Sequence, residues 1–141
     1  MTYADKIRLL RETIIKASRE PEIMRLALSF SGSGGDVISN VYNFVKSNIR
    51  YVKEPFGCDN FQYPTYTLRV GFADCEDVSM LIGSILKAGG YTIGFKVAKV
   101  SDGYHVWPVV YKDGRWIALD TTIKKPMGCE VTGEWKKLYI V

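Results

Sequence analysis

At 141 residues, with 47% hydrophobic and 24% charged positions, the chain is long enough to bury a core and too balanced for a disordered or fibrous protein. Its formal net charge of +4 is scattered through Arg8, Arg11 and Lys16 near the start and Lys124, Lys125, Lys136 and Lys137 near the end, so no basic stripe points to nucleic acid. No apolar run is long enough to span a bilayer and the first residues lack a leader pattern, which predicts no membrane partner and a cytoplasmic protein, or one carried in a particle assembled inside a cell.

Ile7, Leu10, Ile14 and Ala17 recur at helical spacing and predict an amphipathic helix near 4–18. Pro21 interrupts it, and a second short helix follows through Ile23, Leu26, Ala27 and Phe30. The glycine- and serine-rich stretch 31–35 reads as a flexible loop; it follows no strand and precedes no Lys-Ser/Thr, so it does not match a phosphate cradle. Asp36 is a candidate N-cap for a helix whose inward face is Val37, Val41, Phe44, Val45 and Asn48 or Ile49. Ile49-Arg50-Tyr51-Val52 looks like an extended exit from that helix. Residues 55–70, with two prolines, several aromatics and no period, read as one long ordered loop reaching toward a site.

The segment from Cys75 to about Ala88 is better defined. Asp74 can cap it, Gly89-Gly90 can end it, and Val78, Leu81, Ile82, Ile85 and Leu86 form its apolar face. Cys75 precedes Val78 by one turn and Ile82 by two, so the thiol turns toward the rest of the domain. Alternation then predicts strands through Ile93, Phe95 and Val97, from Tyr104 to Tyr111, from Arg115 to Leu119, and from Trp135 to Val141. Helices first and an antiparallel sheet afterwards give an α+β fold.

The three cysteines, Cys58, Cys75 and Cys129, have no CxxC spacing, so no metal site is expected. Cys58 and Cys129 are compatible with a disulfide or with two reduced thiols; Cys75 stays free either way. Thirty residues after Cys75 comes the only histidine, His105, and fifteen after that Asp120. A helix-start thiol, an imidazole and a carboxylate are the parts of a cysteine nucleophile with its base and orienter. Each alone has an ordinary structural role. The hairpin joins two of them: with Asp113-Gly114 as a two-residue turn, Trp107 faces Asp120 and His105 faces Thr122. His105 and Asp120 become diagonal neighbours about 7 Å apart at the backbone, provided that Pro108 causes no bulge. Against the thiolate stand Asp74, Glu76 and Asp77, whose charge opposes a second anion unless they act as caps or point outward.

Gly71-Phe72-Ala73-Asp74-Cys75-Glu76-Asp77, Leu81 to Leu86 with Gly89-Gly90, His105-Val106-Trp107, Asp113-Gly114-Arg115-Trp116 and Leu119-Asp120-Thr121-Thr122 together resemble the transglutaminase-like, papain-fold superfamily, over about 36–122. Ile49-Arg50-Tyr51-Val52 and the stretch from Gln62 to Leu68 resemble its bacteriophage branch, whose members are small single domains. Ala73 stands where the family more often has glycine, and Glu76 replaces a common aspartate; both bear on substrate fit.

The resemblance implies a catalytic cysteine at the start of a central helix packed on the sheet, in a single domain of 1–141 with a helical extension over 1–35 and a C-terminal one over 123–141. It implies Cys75 as nucleophile, His105 as general base and acid, and Asp120 as orienter, with no cofactor or metal. The Cys75 N–H and the Gln62 amide are the oxyanion candidates; Tyr63, Tyr66 and Trp107 are candidates for an acyl pocket. The implied reaction is acyl transfer from a protein or peptide through a thioester, to water in a peptidase or amidase or to an amine in a transglutaminase. The alternative is a non-catalytic structural or assembly protein of a phage particle that keeps the fold, with phage structural proteins as partners.

Overall fold

A computed structural model describes residues 1–53 and 60–141, in which five helices precede or flank a four-stranded antiparallel sheet. The first part of the 55–70 stretch and any pairing of Cys58 lie outside the described residues. Helix α1 (Tyr3–Ala17) opens with a capping box, in which the Thr2 hydroxyl accepts from the Asp5 N–H and the Asp5 carboxylate accepts from the Thr2 N–H. Helix α2 (Pro21–Gly32) starts on a proline, whose missing N–H costs nothing in a first turn, and runs two residues into the stretch expected to be loop. Helix α3 (Val37–Asn48) is capped by Asp36 and buries Ile38, Val41, Tyr42 and Val45.

Two short strands then pair in parallel, β1 (Arg50–Tyr51) with β2 (Phe72–Ala73), in the register Tyr51 opposite Ala73. Between them lies α4 (Pro64–Val70), where the sequence suggested only loop. The helix is short because Gly71 ends it in a left-handed conformation, φ 75°. Helix α5 (Cys75–Ala88) is the centre of the fold: every residue from Asp77 to Leu86 is buried. Ile14 and Ile23 from the first two helices, Val41 and Val45 from α3, and Ile93, Phe95, Val97, Val106 and Val110 from the sheet all join its cluster. Each such side chain contributes roughly 1.5–3 kcal/mol on burial, before chain entropy is counted.

The sheet has the order β5-β4-β3-β6, with β3 (Thr92–Val100), β4 (Gly103–Lys112), β5 (Arg115–Ala118) and β6 (Lys136–Ile140). The β4–β5 turn is Asp113-Gly114, both with positive φ, 53° and 82°, as a two-residue turn of this hand requires. The register is the one its length dictates, from Lys112 opposite Arg115 to Val109 opposite Ala118, and Pro108 introduces no bulge. One face of the sheet carries α5. The other holds a smaller cluster, Ala98, Trp107, Val109 and Ala118, against which Val131 of the irregular segment 121–135 packs. Among the described residues no helix is long and apolar enough to cross a membrane.

Candidate active site

Cys75 is the first residue of α5. Asp74 and Asp77 make a capping box around it: the Asp77 N–H donates to Asp74 Oδ1 at 2.9 Å and the Asp74 N–H to Asp77 Oδ2 at 3.1 Å. Two of the three acidic neighbours thus close the helix end. Asp77 does more, since its Oδ1 accepts the Gln62 backbone N–H at 2.8 Å. Fifteen residues before Asp77 in sequence, Gln62 is thereby fastened to the first turn of α5. Its side-chain Oε1 accepts from the Thr67 hydroxyl at 3.0 Å, which leaves the NH2 as the other end of the amide.

The thiol reaches the edge of the sheet. Leu119 donates to the Pro108 carbonyl at 2.9 Å, so Val106, two residues back, turns its N–H to the same side of β4. Strand β5 ends at Ala118, opposite Val109, which leaves the Val106 N–H unpaired by any strand and directed at Cys75 Sγ. The half-buried thiol therefore sits beside the residue that follows His105.

His105 Nε2 lies 2.7 Å from Asp120 Oδ2. Asp120 is 3% exposed, and its Oδ1 accepts twice from Thr122, at 2.9 Å from the backbone N–H and 2.6 Å from the hydroxyl. Burial opposes the charge on this carboxyl, but the hydrogen bonds from His105 and Thr122 outweigh it and hold Asp120 below its usual range. The ionised Asp120 must accept, so His105 donates from Nε2, and in the neutral ring the lone pair is on Nδ1.

The thiol is the opposite case. Burial pushes Cys75 up to about 12; the Val106 N–H pulls the other way, and Glu76, Asp74 and Asp120 push it further up. The helix N-terminus favours a thiolate, but here burial and three carboxylates win, so Cys75 rests as a neutral thiol.

Trp107 corrects the expectation of a pocket wall. It is wholly buried, donates from Nε1 to Glu130 Oε2 at 3.3 Å, and lies stacked against the His105 ring, centroids 5.7 Å apart and planes 26° apart. A side chain with no accessible surface offers none to a substrate. Tyr63 donates its hydroxyl to Glu20 at 3.1 Å and lies under the Lys16 ammonium, which ties it to the α1–α2 junction. Tyr66 is half exposed on α4. Three residues that the sequence did not offer as site candidates also stand here. Thr122 fixes Asp120; Glu130 fixes Trp107; Tyr51 is placed beside the approach to Cys75 by its pairing with Ala73. Burial, and then the nearby Cys75, Asp74 and Asp120, push the Tyr51 phenol up to about 12, so it remains a neutral donor. Only for Thr122, two residues after an aspartate, was there a local sequence signal. Among the described residues no group of three or more His, Cys, Asp or Glu side chains is placed to hold a metal ion.

The model of the transglutaminase-like superfamily matches residues 28–121 of the chain. The fold is similar to that of a proposed protease from Parabacteroides distasonis, with TM-score 0.65 and 13% identity over 80% of this chain and 25% of that one. It is similar to a proposed cysteine protease from Cytophaga hutchinsonii, with TM-score 0.59 and 14% identity over 85% of this chain and 50% of that one. LapG from Legionella pneumophila gives TM-score 0.51 and 14% identity over 86% of this chain and 65% of that one. The chain thus spans between a quarter and about two thirds of the length of these proteins. No curated protein sequence matches it. Nothing in these comparisons bears on a bacteriophage branch.

Proposed function

The chain belongs to the transglutaminase-like superfamily, and from that premise we propose that it transfers acyl groups from a protein or peptide through a thioester on Cys75, as a peptidase or amidase. The observation that carries this reading is the His105–Asp120 pair at 2.7 Å, beside a thiol held by the neighbouring Val106 N–H.

As Cys75 Sγ attacks the scissile carbonyl carbon, its proton passes to His105 Nδ1, so a neutral thiol ionises only while the new C–S bond forms. The carbonyl oxygen becomes an oxyanion. The Cys75 N–H, which has no acceptor among the described residues, and the Gln62 NH2 are the donors proposed for it. The intermediate collapses, the C–N bond breaks, and His105 returns the proton to the leaving amine. Water, deprotonated by the same Nδ1, then attacks the thioester and releases the acid and the thiol. Asp120 keeps Nε2 protonated throughout and stabilises the imidazolium. An amine in place of water would make the product an amide; acceptor choice depends on water exclusion. Tyr66, on the exposed face of α4, is the remaining candidate for contact with the acyl group. A phage origin, with phage structural proteins as substrates, rests on the likeness of Ile49 to Val52 and Gln62 to Leu68 alone.

A peptidyl acyloxymethyl ketone tests the reading. The expected result is one adduct per chain on Cys75, lost in Cys75→Ala and slowed about 10²- to 10⁴-fold in His105→Ala. Labelling spread equally over Cys58, Cys75 and Cys129, or unaffected by His105→Ala, would overturn it. Labelled methylamine included during turnover separates the acceptors, since its incorporation into product marks transamidation.

A further inference from the structure

A single hydrogen bond leaves His105 incompletely placed. The 2.7 Å contact fixes Nε2 on Asp120, but the ring is still free to swing about the Nε2···Oδ2 line, and that swing decides where Nδ1 points. A flat neighbour supplies the second constraint, and Trp107 is that neighbour, two residues along the strand and on the same face. Trp107 in turn needs holding. Its buried indole N–H requires an acceptor, and Glu130 Oε2 provides it at 3.3 Å.

Glu130 comes from the irregular segment 121–135, yet it is clamped by the sheet. Lys96 Nζ lies 2.8 Å from Oε2 and Lys136 Nζ 3.1 Å from Oε1. Lys96 stands directly opposite Trp107 on β3, and Lys136 opposite Ala98 on β6, so the clamp crosses three adjacent strands. The carboxylate is only 21% exposed, and Lys136 also sits 6.0 Å above the indole. Glu130 therefore has three donors from three strands converging on it, which is more than an exposed ion pair and gives it a fixed position.

We propose that Glu130 is a positioning residue for the acyl-transfer reaction: it pins the Trp107 indole, whose face sets the rotation of the His105 ring and so aims Nδ1. The inference rests on the catalytic reading of Cys75 and His105, and the test keeps the two apart. Because His105 is the only histidine in the chain, its ring resonances in NMR are unambiguous and can be read without turnover.

In the wild-type protein the His105 ring protons are displaced by the Trp107 ring current. In Glu130→Leu that displacement shrinks, and kcat for acyl transfer falls on the order of ten- to a hundredfold while KM moves less than about twofold. Glu130→Gln keeps an acceptor for the indole N–H and recovers most of both. Unmoved His105 resonances and kcat in Glu130→Leu overturn the proposal, and so does a Glu130→Gln protein as impaired as Glu130→Leu. Should Glu130→Leu fail to fold, Trp107→Phe, which keeps a flat ring but has no N–H, decides the same point through kcat: it falls as for Glu130→Leu with KM little changed, or the pin is irrelevant. A wild-type protein without any acylation of Cys75 ends the catalytic reading, and the NMR displacement still decides whether Glu130 orients the ring.

Discussion

His105 meets Asp120 through Nε2, at 2.7 Å from Oδ2, while Asp120 Oδ1 is already taken twice by Thr122. That division of the carboxylate fixes more than a contact. It determines which ring nitrogen donates to the carboxylate and which is turned away from it.

Asp120→Asn should invert the tautomer. The Asn carbonyl oxygen stays with Thr122, which can only donate its N–H there, so the amide NH2 is presented to Nε2. Nε2 must then accept, Nδ1 takes the proton, and the lone pair that the proposed reaction uses is lost. The expected loss in kcat is up to about ten-thousandfold with the fold intact. Nitrogen-15 NMR of the single imidazole reads the tautomer directly. An Nε2-protonated ring in Asp120→Asn would show that the carboxylate does not set it.

Thr122→Val should move acid unfolding to higher pH. The folded Asp120 pKa is below its ordinary value of 3.8, so its stabilisation is fully present above that pH and is lost as pH falls through the folded value. Removing the hydroxyl at 2.6 Å raises the folded pKa, so the loss sets in sooner on acidification. At neutral pH the cost is about 1–3 kcal/mol, for a hydrogen bond to a charged group. Melting temperature followed from neutral to strongly acidic pH checks both. An acid limb that overlays the wild type would show that Thr122 contributes nothing to the charge.

Alkylation of Cys75 should lack a plateau at neutral pH. With the thiol pushed up to about 12, its thiolate fraction keeps growing through pH 9 and 10. Rates for Cys75 from mass spectrometry with iodoacetamide should therefore rise about tenfold per pH unit over that range. A rate already level near pH 7 would mean a preformed thiolate–imidazolium pair, against the neutral thiol argued from burial.

Asp77→Ala should cost stability and acyl transfer together. It removes half of the α5 capping box and the acceptor of the Gln62 N–H. Loss of the cap alone costs about 0.5–2 kcal/mol. Asp77→Asn, which retains an acceptor oxygen, should recover part of the stability. If kcat follows stability alone across both variants and a Gln62→Ala protein is fully active, Gln62 has no part in holding the oxyanion.

Gly94→Ala should destabilise the sheet without altering the chemistry. A Cβ at Gly94 would lie 2.5 Å from the Tyr139 carbonyl oxygen and 3.3 Å from Ile140 Cα, both backbone atoms of β6. Overpacking of this kind costs typically about 1–3 kcal/mol. Denaturant titration measures it; a change within about 0.5 kcal/mol would mean that β6 yields freely.

The parts of this site legible in the sequence are those set by local periodicity. Helix α5 was legible because cap, apolar face and terminal glycines agree, and the β4–β5 register because a two-residue turn admits one pairing. What escaped is what long-range packing decides. The Tyr51–Ala73 pairing joins segments on either side of α4, and no pattern in either names the other. Helix α4 itself had signals, Pro64 at its first turn and Gly71 at its end, but seven residues are too few for a period to show. Trp107 beside a histidine resembled a wall for substrate, and only the opposite face of the sheet, with Glu130 and Val131 laid over it, makes it interior. Glu130 sits in a segment with no regular structure, where periodicity has nothing to report.

The Asp113-Gly114 turn has a consequence for how this chain tolerates length changes. It stands at the far end of β4 and β5 from His105, and its two residues act as the gauge that sets Lys112 opposite Arg115 and Val109 opposite Ala118, two residues short of Asp120. One residue inserted there slips every facing pair and sends alternate side chains to the other face, so that Asp120 and His105 part although neither is touched. The same insertion among the glycines at 34 and 35, between two helices that keep their own caps, shifts no register at all. Descendants of this sequence are thus free to vary in length between α2 and α3 and confined to a fixed count across a turn that carries no chemistry.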